Sequence, residues 1–259
     1  MKLNNFMKIV KIPSSLGGLT KKGSMKAPDL IVEEIKNFFL NEDGSSAQFD
    51  IENVDVDVND IEETNRRIAS KEGDIFIGGD HSITYPCFSN FAKKFKNPGL
   101  IVFDSHPDCV NDFKPPSHED YVKVLVKEGT LKKENVILVG IRDWDKSEFS
   151  FLKDNKIKFF TLKQLFNDVE NICDIVMELA REFDGLYLSL DIDVVDPSMA
   201  PGTGHLEPGG LTSREFIYFI QRLKLLKNLK RVDLVEVDPD KDINGITVRL
   251  AAKIIAELV

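Results

Sequence analysis

The sequence predicts an α/β protein built on a parallel sheet, and three observations carry that expectation. Short β-type apolar runs recur along the 259 residues, and stretches with helical spacing lie between them. Several runs are apolar at nearly every position, as strands covered on both faces must be. The predicted strands occupy residues 7–12, 47–56, 74–77, 99–103, 135–141, 156–161, 185–190 and 232–237. The intervening helices are marked by Ile31, Ile35 and Phe38-Phe39, by Ile61 and Ile68, by Ile172, Ile175, Val176 and Leu179, and by Phe216, Phe219, Ile220 and Leu223. Strand alternating with helix is the βαβ pattern. No Pro/Gly/Ser-rich linker or internal repeat divides the chain, so residues 1–259 are expected to form one domain. Residues 17–27, 111–117 and 200–210 each contain Gly or Pro and read as surface loops.

Composition removes several function classes. An apolar fraction of 42% and a charged fraction of 30% are ordinary for a globular protein. A net charge of −9 argues against a nucleic-acid partner, which calls for a basic face. The apolar runs fall far short of the ~20 residues of a membrane span. The first residues carry no apolar signal-peptide core and read as no secretory signal, and the cysteine usage points to a reducing, cytoplasmic location. Cys87, Cys109 and Cys173 are odd in number and show no C-x-x-C spacing, which supports neither a disulfide framework nor a structural zinc site. Cys109 reads as a small buried residue.

Four strand ends carry chemistry. The run 99–103 feeds into Asp104-Ser105-His106-Pro107-Asp108, where ligand-type side chains recur two residues apart. In extended backbone such positions share a face, so Asp104, His106 and Asp108 can converge on a divalent first-row ion. A surface loop can carry the same spacing by accident. The run 74–77 ends in Gly78-Gly79-Asp80-His81-Ser82, in which Asp80 or Ser82 can cap a helix while His81 is presented. The run 185–190 leads into Asp191 and Asp193, bare carboxylates beside a sheet core, costly unless a cation or partner neutralises them. Asp196-Pro197 reads as a turn. Glu236 stands where the last strand ends, and a lysine or arginine partner would account for it as well.

All four place acids or imidazoles at the carboxyl edge of the predicted sheet, where α/β proteins bind ligands. The inventory is His81, Asp104, His106, Asp108, Asp191 and Asp193. One ion rarely uses six protein ligands and stays open to substrate; two ions sharing carboxylates can. Two of the four histidines in the chain lie in these motifs.

These residues resemble the arginase/agmatinase (ureohydrolase) family over most of the chain. Gly78-Gly79-Asp80-His81-Ser82 resembles its G-G-D-H-S, Asp104-x-His106-x-Asp108 its D-A-H-x-D, and Ser189-x-Asp191-x-Asp193 with Asp196-Pro197 its S-x-D-x-D-x-x-D-P. Residues 200–204, 207–211 and Glu236-Val237-x-Pro239 also have close counterparts, and Gly17-Gly18 with Ala27-Pro28 is a looser match. The resemblance implies a three-layer α/β/α sandwich with a parallel, roughly eight-stranded sheet. It implies two Mn2+ per chain, one held by His81, Asp104, Asp108 and Asp191, the other by Asp104, His106, Asp191 and Asp193. It further implies Glu236 as the partner of a substrate guanidinium, His118 as proton shuttle, and a homo-oligomer, trimer or hexamer. The expected reaction is urea release from arginine, with agmatine or formimidoylglutamate as alternatives.

The chain also departs from the pattern. Ser105 replaces a small apolar residue, Val110 stands where an arginase shows Asn, Asn111 comes one residue late, and Glu119 follows His118 where Gly is common. Substrate contacts are expected from Asn111 and Ser117, and from Asp145 supported by Glu148; a charged helix start explains the last pair equally. Ser117-His118-Glu119 can likewise be a helix start, and His205 can line the entrance, although a surface histidine is the preferred reading. A single-zinc deacetylase is disfavoured because the paired histidine base is absent. A metal-binding homologue that has lost turnover stays open as the reading of another class.

Overall fold

The computed structural model describes residues 5–18 and 22–259. Eight strands form one sheet: β1 (Asn5–Lys11), β2 (Ala47–Asn53), β3 (Ile75–Ile77), β4 (Pro98–Phe103), β5 (Val136–Ile141), β6 (Lys158–Thr161), β7 (Gly185–Asp191) and β8 (Leu229–Val235). Every pairing is parallel, in the order β2-β1-β3-β8-β7-β4-β5-β6. The helices are α1 (Ala27–Ile35), α2 (Ile61–Ala69), α3 (Thr84–Ala92), α4 (Tyr121–Lys127), α5 (Lys146–Asn155), α6 (Leu162–Asn167), α7 (Val169–Ala180), α8 (Ser213–Leu223) and α9 (Ile246–Glu257).

Alternation along each strand divides the core into two layers of contact. Ile75, Ile77, Ile101, Phe103, Leu188, Leu190 and Leu234 pack on one face with residues of α1, α7, α8 and α9. Phe76, Leu100, Val102, Tyr187 and Val235 pack on the other with residues of α2, α3, α4 and α5. This is the three-layer sandwich, and it explains why the central strands read as unbroken apolar runs. Parallel pairing sends the carboxyl ends of β3, β8, β7 and β4, four adjacent strands, to one edge.

Several predicted boundaries move. The first helix ends at Ile35, and Phe38-Phe39 lie in the turn beyond it, with Phe39 exposed. The last strand starts at Leu229 rather than Val232, and its pairing with β7 shifts register between Leu186 and Tyr187. Helices α3 to α6 and α9 lie outside the helical stretches marked in the sequence. Of the loop predicted over 17–27, residues 19–21 lie outside the described residues, and Lys22–Lys26 forms a 3-10 turn. No helix of the described residues is long and apolar enough to cross a membrane.

Gly79 is required by contact rather than by dihedral angle. A Cβ there would drive into the carbonyl oxygen of Ser14, and backbone cannot swing aside as a side chain can. The same Ser14 carbonyl accepts from Asp80 N–H at 3.0 Å, so the β3 exit is locked to the segment after β1.

Candidate metal centre and cavity

His81 begins a 3-10 turn directly after β3, capped by Asp80, whose side chain accepts from Ser82 N–H at 2.9 Å. The other Asp80 oxygen accepts from the N–H groups of Gly17 and Gly18, both at 3.0 Å. Burial first, and then the charge of Glu236, pushes this carboxyl up to about 6. The His81 ring is fixed through Nε2. Its Nε2 lies 2.8 Å from Ser189 Oγ and 3.0 Å from Tyr121 Oη. Ser189 donates onward to Asp233 at 2.6 Å, and Tyr187 and Thr84 donate to the same carboxylate at 2.7 and 2.8 Å. Desolvation raises the pKa of Asp233, and the three hydroxyl donors oppose that rise.

This chain of bonds turns Nδ1 of His81 toward three acids. It lies 3.0 Å from Asp104 Oδ2, 2.9 Å from Asp108 Oδ2 and 3.2 Å from Asp191 Oδ2. Asp108 reaches this place through a left-handed backbone, φ 51°. A second group stands alongside: His106 Nδ1 is 3.1 Å from Asp193 Oδ2 and 3.4 Å from Asp104 Oδ1. Backbone donors orient the acids, with His106 N–H on Asp104, Ser105 N–H on Asp193 and Asp193 N–H on Asp191, at 2.6, 3.0 and 2.8 Å.

The centre is short of positive charge. Burial, together with the neighbouring Asp104 charge, pushes Asp108 well above the usual carboxylate range; burial and the charges of Asp193 and Asp104 do the same to Asp191. His81 Nδ1, Asp104 Oδ2 and Asp108 Oδ2 are buried and without a hydrogen-bond partner. Orphaned buried polar atoms that face one another are expensive unless something binds them, and a cation satisfies all three at once. Atoms of His81, Asp104 and Asp191 lie within 4.8 Å of one another, close enough for one ion. The residues therefore fit a metal ion.

Above the acids opens a cavity of about 410 Å³, lined by His81, His106, Asp108, His118, Asp191, Asp193 and Glu236 among others. Glu236 leaves β8 with φ 63°, another left-handed non-glycine, and its N–H donates to Gly79 carbonyl at 2.7 Å. Strain of this kind concentrates at functional positions. Glu236 Oε1 accepts from His81 N–H at 2.7 Å and pairs with His118 Nδ1 at 3.1 Å. Burial opposes charge on His118, yet the hydrogen bond and charge of Glu236 win and push the imidazole up to about 9. His118 precedes α4 rather than starting it: the cap is Asp120, and the His118 N–H donates to the Gly17 carbonyl at 3.1 Å.

Asp145 and Glu148 line the cavity and also form the capping box of α5. Asn111 and Ser117 are corrections. The Asn111 N–H and Ser117 Oγ are both bound to Asp120, 2.7 and 2.5 Å away, and neither residue lines the cavity. Asp120 pins the whole segment as a cap would, which the spacing of Asn and Ser alone cannot reveal. His205 is the converse correction: it lines the cavity, its ring 5.1 Å from that of His106. Thr203, Tyr121 and Asp233 were not singled out in the sequence. Only Asp233 left a signal there, a lone acid inside the apolar run Val232 to Val235. Cys109 is buried, as expected.

Because Asp233 acts through Ser189 on His81, Asp233→Asn is expected to weaken metal binding by roughly 10- to 100-fold. Calorimetric titration of the metal-free protein checks this, and unchanged affinity would remove Asp233 from the account.

Residues 6–259 match the arginase family. An arginase from Staphylococcus aureus (strain COL) is 32% identical over 250 residues, 90% of this chain and 81% of that protein. A formimidoylglutamase from Halalkalibacterium halodurans is 30% identical over 268 residues, 95% of this chain and 84% of that protein. Among solved structures, a formimidoylglutamase from Bacillus subtilis superposes with a TM-score of 0.90 at 24% identity, covering 100% of this chain and 87% of that one.

Proposed function

The chain belongs to the arginase family, and from that premise we propose that the cavity is a binuclear manganese centre releasing urea from a linear guanidino substrate, arginine first. The observation that carries this reading is the convergence of three orphaned buried atoms, His81 Nδ1, Asp104 Oδ2 and Asp108 Oδ2, beneath the cavity floor. His81, Asp104, Asp108 and Asp191 would hold one ion, and Asp104, His106, Asp191 and Asp193 the other. When bound, the ions supply Lewis acidity that brings the pKa of their water toward neutrality.

The remaining work falls to the protein. Glu236 is positioned to receive a guanidinium by a charge-assisted pair and so to set the trigonal carbon over the metal ligands. Its present partner is His118, whose proton it stabilises. A guanidinium that takes over Glu236 withdraws that stabilisation, leaving His118 acidic enough to protonate the departing amine. Asp145, at the cavity wall, suits the amino group at the far end of the substrate.

Agmatine is the second reading, and one observation favours it. Asn111 and Ser117, the residues expected to grip a carboxylate, stand outside the cavity lining, and no lysine or arginine is among the residues that do line it. Urea release from arginine, agmatine and formimidoylglutamate (as formamide for the last) should be compared after Mn2+ loading. Faster turnover of arginine is the expected result. Equal or reversed rates would sink the arginine assignment and leave the urea-releasing chemistry standing.

A further inference from the structure

The loop after β7 delivers a histidine that the four strand-end motifs do not include. His205 is half-buried and lines the cavity, in a T-shaped contact with His106, ring centroids 5.1 Å apart. Its position is built. Thr203 bridges to Val237 just before it, Lys241 Nζ donates to the Gly204 carbonyl at 3.0 Å, and Arg142 Nη2 donates to the Glu207 carbonyl at 2.8 Å. Backbone pinned on both sides of a residue holds its side chain in place at little entropic cost, which is what a binding position requires. Among the described residues, no hydrogen bond engages the His205 ring nitrogens.

One ligand atom each from His106, Asp193 and His205 lies within 4.8 Å of the others. An ion with bonds of about 2.1 Å needs donors roughly 3–4 Å apart, so a small contraction brings all three onto one ion. We propose that His205 is an additional metal ligand, joining His106 and Asp193, and that its imidazole tightens the binding of a nitrogen-preferring ion such as Co2+ at this position more than that of Mn2+. The floor position around His81 offers one imidazole among carboxylates, a harder set. Adding a second imidazole to the His106 position shifts it along the series toward cobalt, nickel and zinc. A rival set at the rim, His106 with Asp143 and Glu207, also fits within 4.8 Å. Its Asp143 side chain is 56% exposed, and water already satisfies such an acid.

The inference rests on reading the cavity as a two-ion centre. It does not depend on which substrate is cleaved. The test uses the full chain, stripped of metal and titrated with Co2+ or with Mn2+ in parallel calorimetric experiments, as wild type, His205→Ala, His205→Gln and Asp143→Asn. His205→Ala and His205→Gln are expected to weaken one of the two Co2+ equivalents by roughly tenfold or more and Mn2+ far less, with Asp143→Asn near wild type. X-ray absorption of the Co2+-loaded wild type needs no variant and should count three imidazoles per chain. Two imidazoles, unchanged Co2+ affinity in both His205 variants, or an effect confined to Asp143→Asn would overturn the proposal. Three imidazoles without urea release would sink the hydrolase reading and keep this one. Urea release with two imidazoles would do the reverse.

Discussion

Asp191→Ala is expected to abolish urea release, by a factor of at least about a thousand, and to remove tight metal binding with it. Asp191 closes β7 and is buried, with one oxygen 3.2 Å from His81 Nδ1 and the other accepting the Asp193 N–H. It stands between the two groups of candidate ligands, so its loss damages both. The stability of the metal-free protein should respond in the opposite sense. Burial first, and then the charges of Asp193 and Asp104, raise the Asp191 pKa, and removing one of several crowded acids relieves that repulsion. Thermal melts should therefore show a metal-free Tm equal to or above wild type, and loss of the rise that bound metal confers. A variant that still binds two ions tightly would refute the role given to this carboxylate.

Glu236→Gln separates substrate binding from metal binding. The amide keeps the size of the side chain and can still accept from His81 N–H, so the β3 exit should remain in place. It has no charge to offer a guanidinium or the His118 imidazolium. A loss of roughly 100- to 1,000-fold in kcat/KM is expected with metal affinity little changed, since a buried charge-assisted pair is replaced by a neutral one. The His118 pKa should fall from its raised position as well, because the Glu236 hydrogen bond and charge are what hold it there. NMR titration of the ring in wild type and variant reads that shift directly. Parallel loss of metal and activity would instead make Glu236 a structural support of His81.

The fold was legible because the sheet is parallel and covered on both faces. Runs such as Gly99 to Phe103 and Gly185 to Leu190 are apolar at nearly every position, as central strands covered on both faces are. Helices were harder. Helix α9 is apolar on most of its circumference because it packs against α1 and α8 as well as the sheet, so its period is blurred. Phe38-Phe39 extended an apparent helix that the backbone ends at Ile35. Phe38 instead lies under the Arg249 guanidinium, a long-range contact that local spacing cannot show.

In the site, residues anchored to a strand end were readable and residues on loops were not. His81, Asp104, His106, Asp108, Asp191 and Asp193 follow their strands by only a few positions, so topology alone gathers them. Asn111 and Ser117 depend on where Asp120 draws its partners, and His205 depends on Lys241 and Arg142 pinning its loop. Those bonds span up to 65 residues of sequence, as between Arg142 and Glu207. The gathering of acids and imidazoles at the sheet edge was therefore legible, and the loop walls of the cavity were not.

The account is tested most directly by following urea release from a guanidino substrate while Mn2+ is added to metal-free protein in known ratios. Urea release is expected to rise and level off at two equivalents per chain. A plateau at one equivalent would contradict the binuclear centre, and no urea at any ratio, from any of the linear guanidino substrates, would contradict the urea-releasing chemistry.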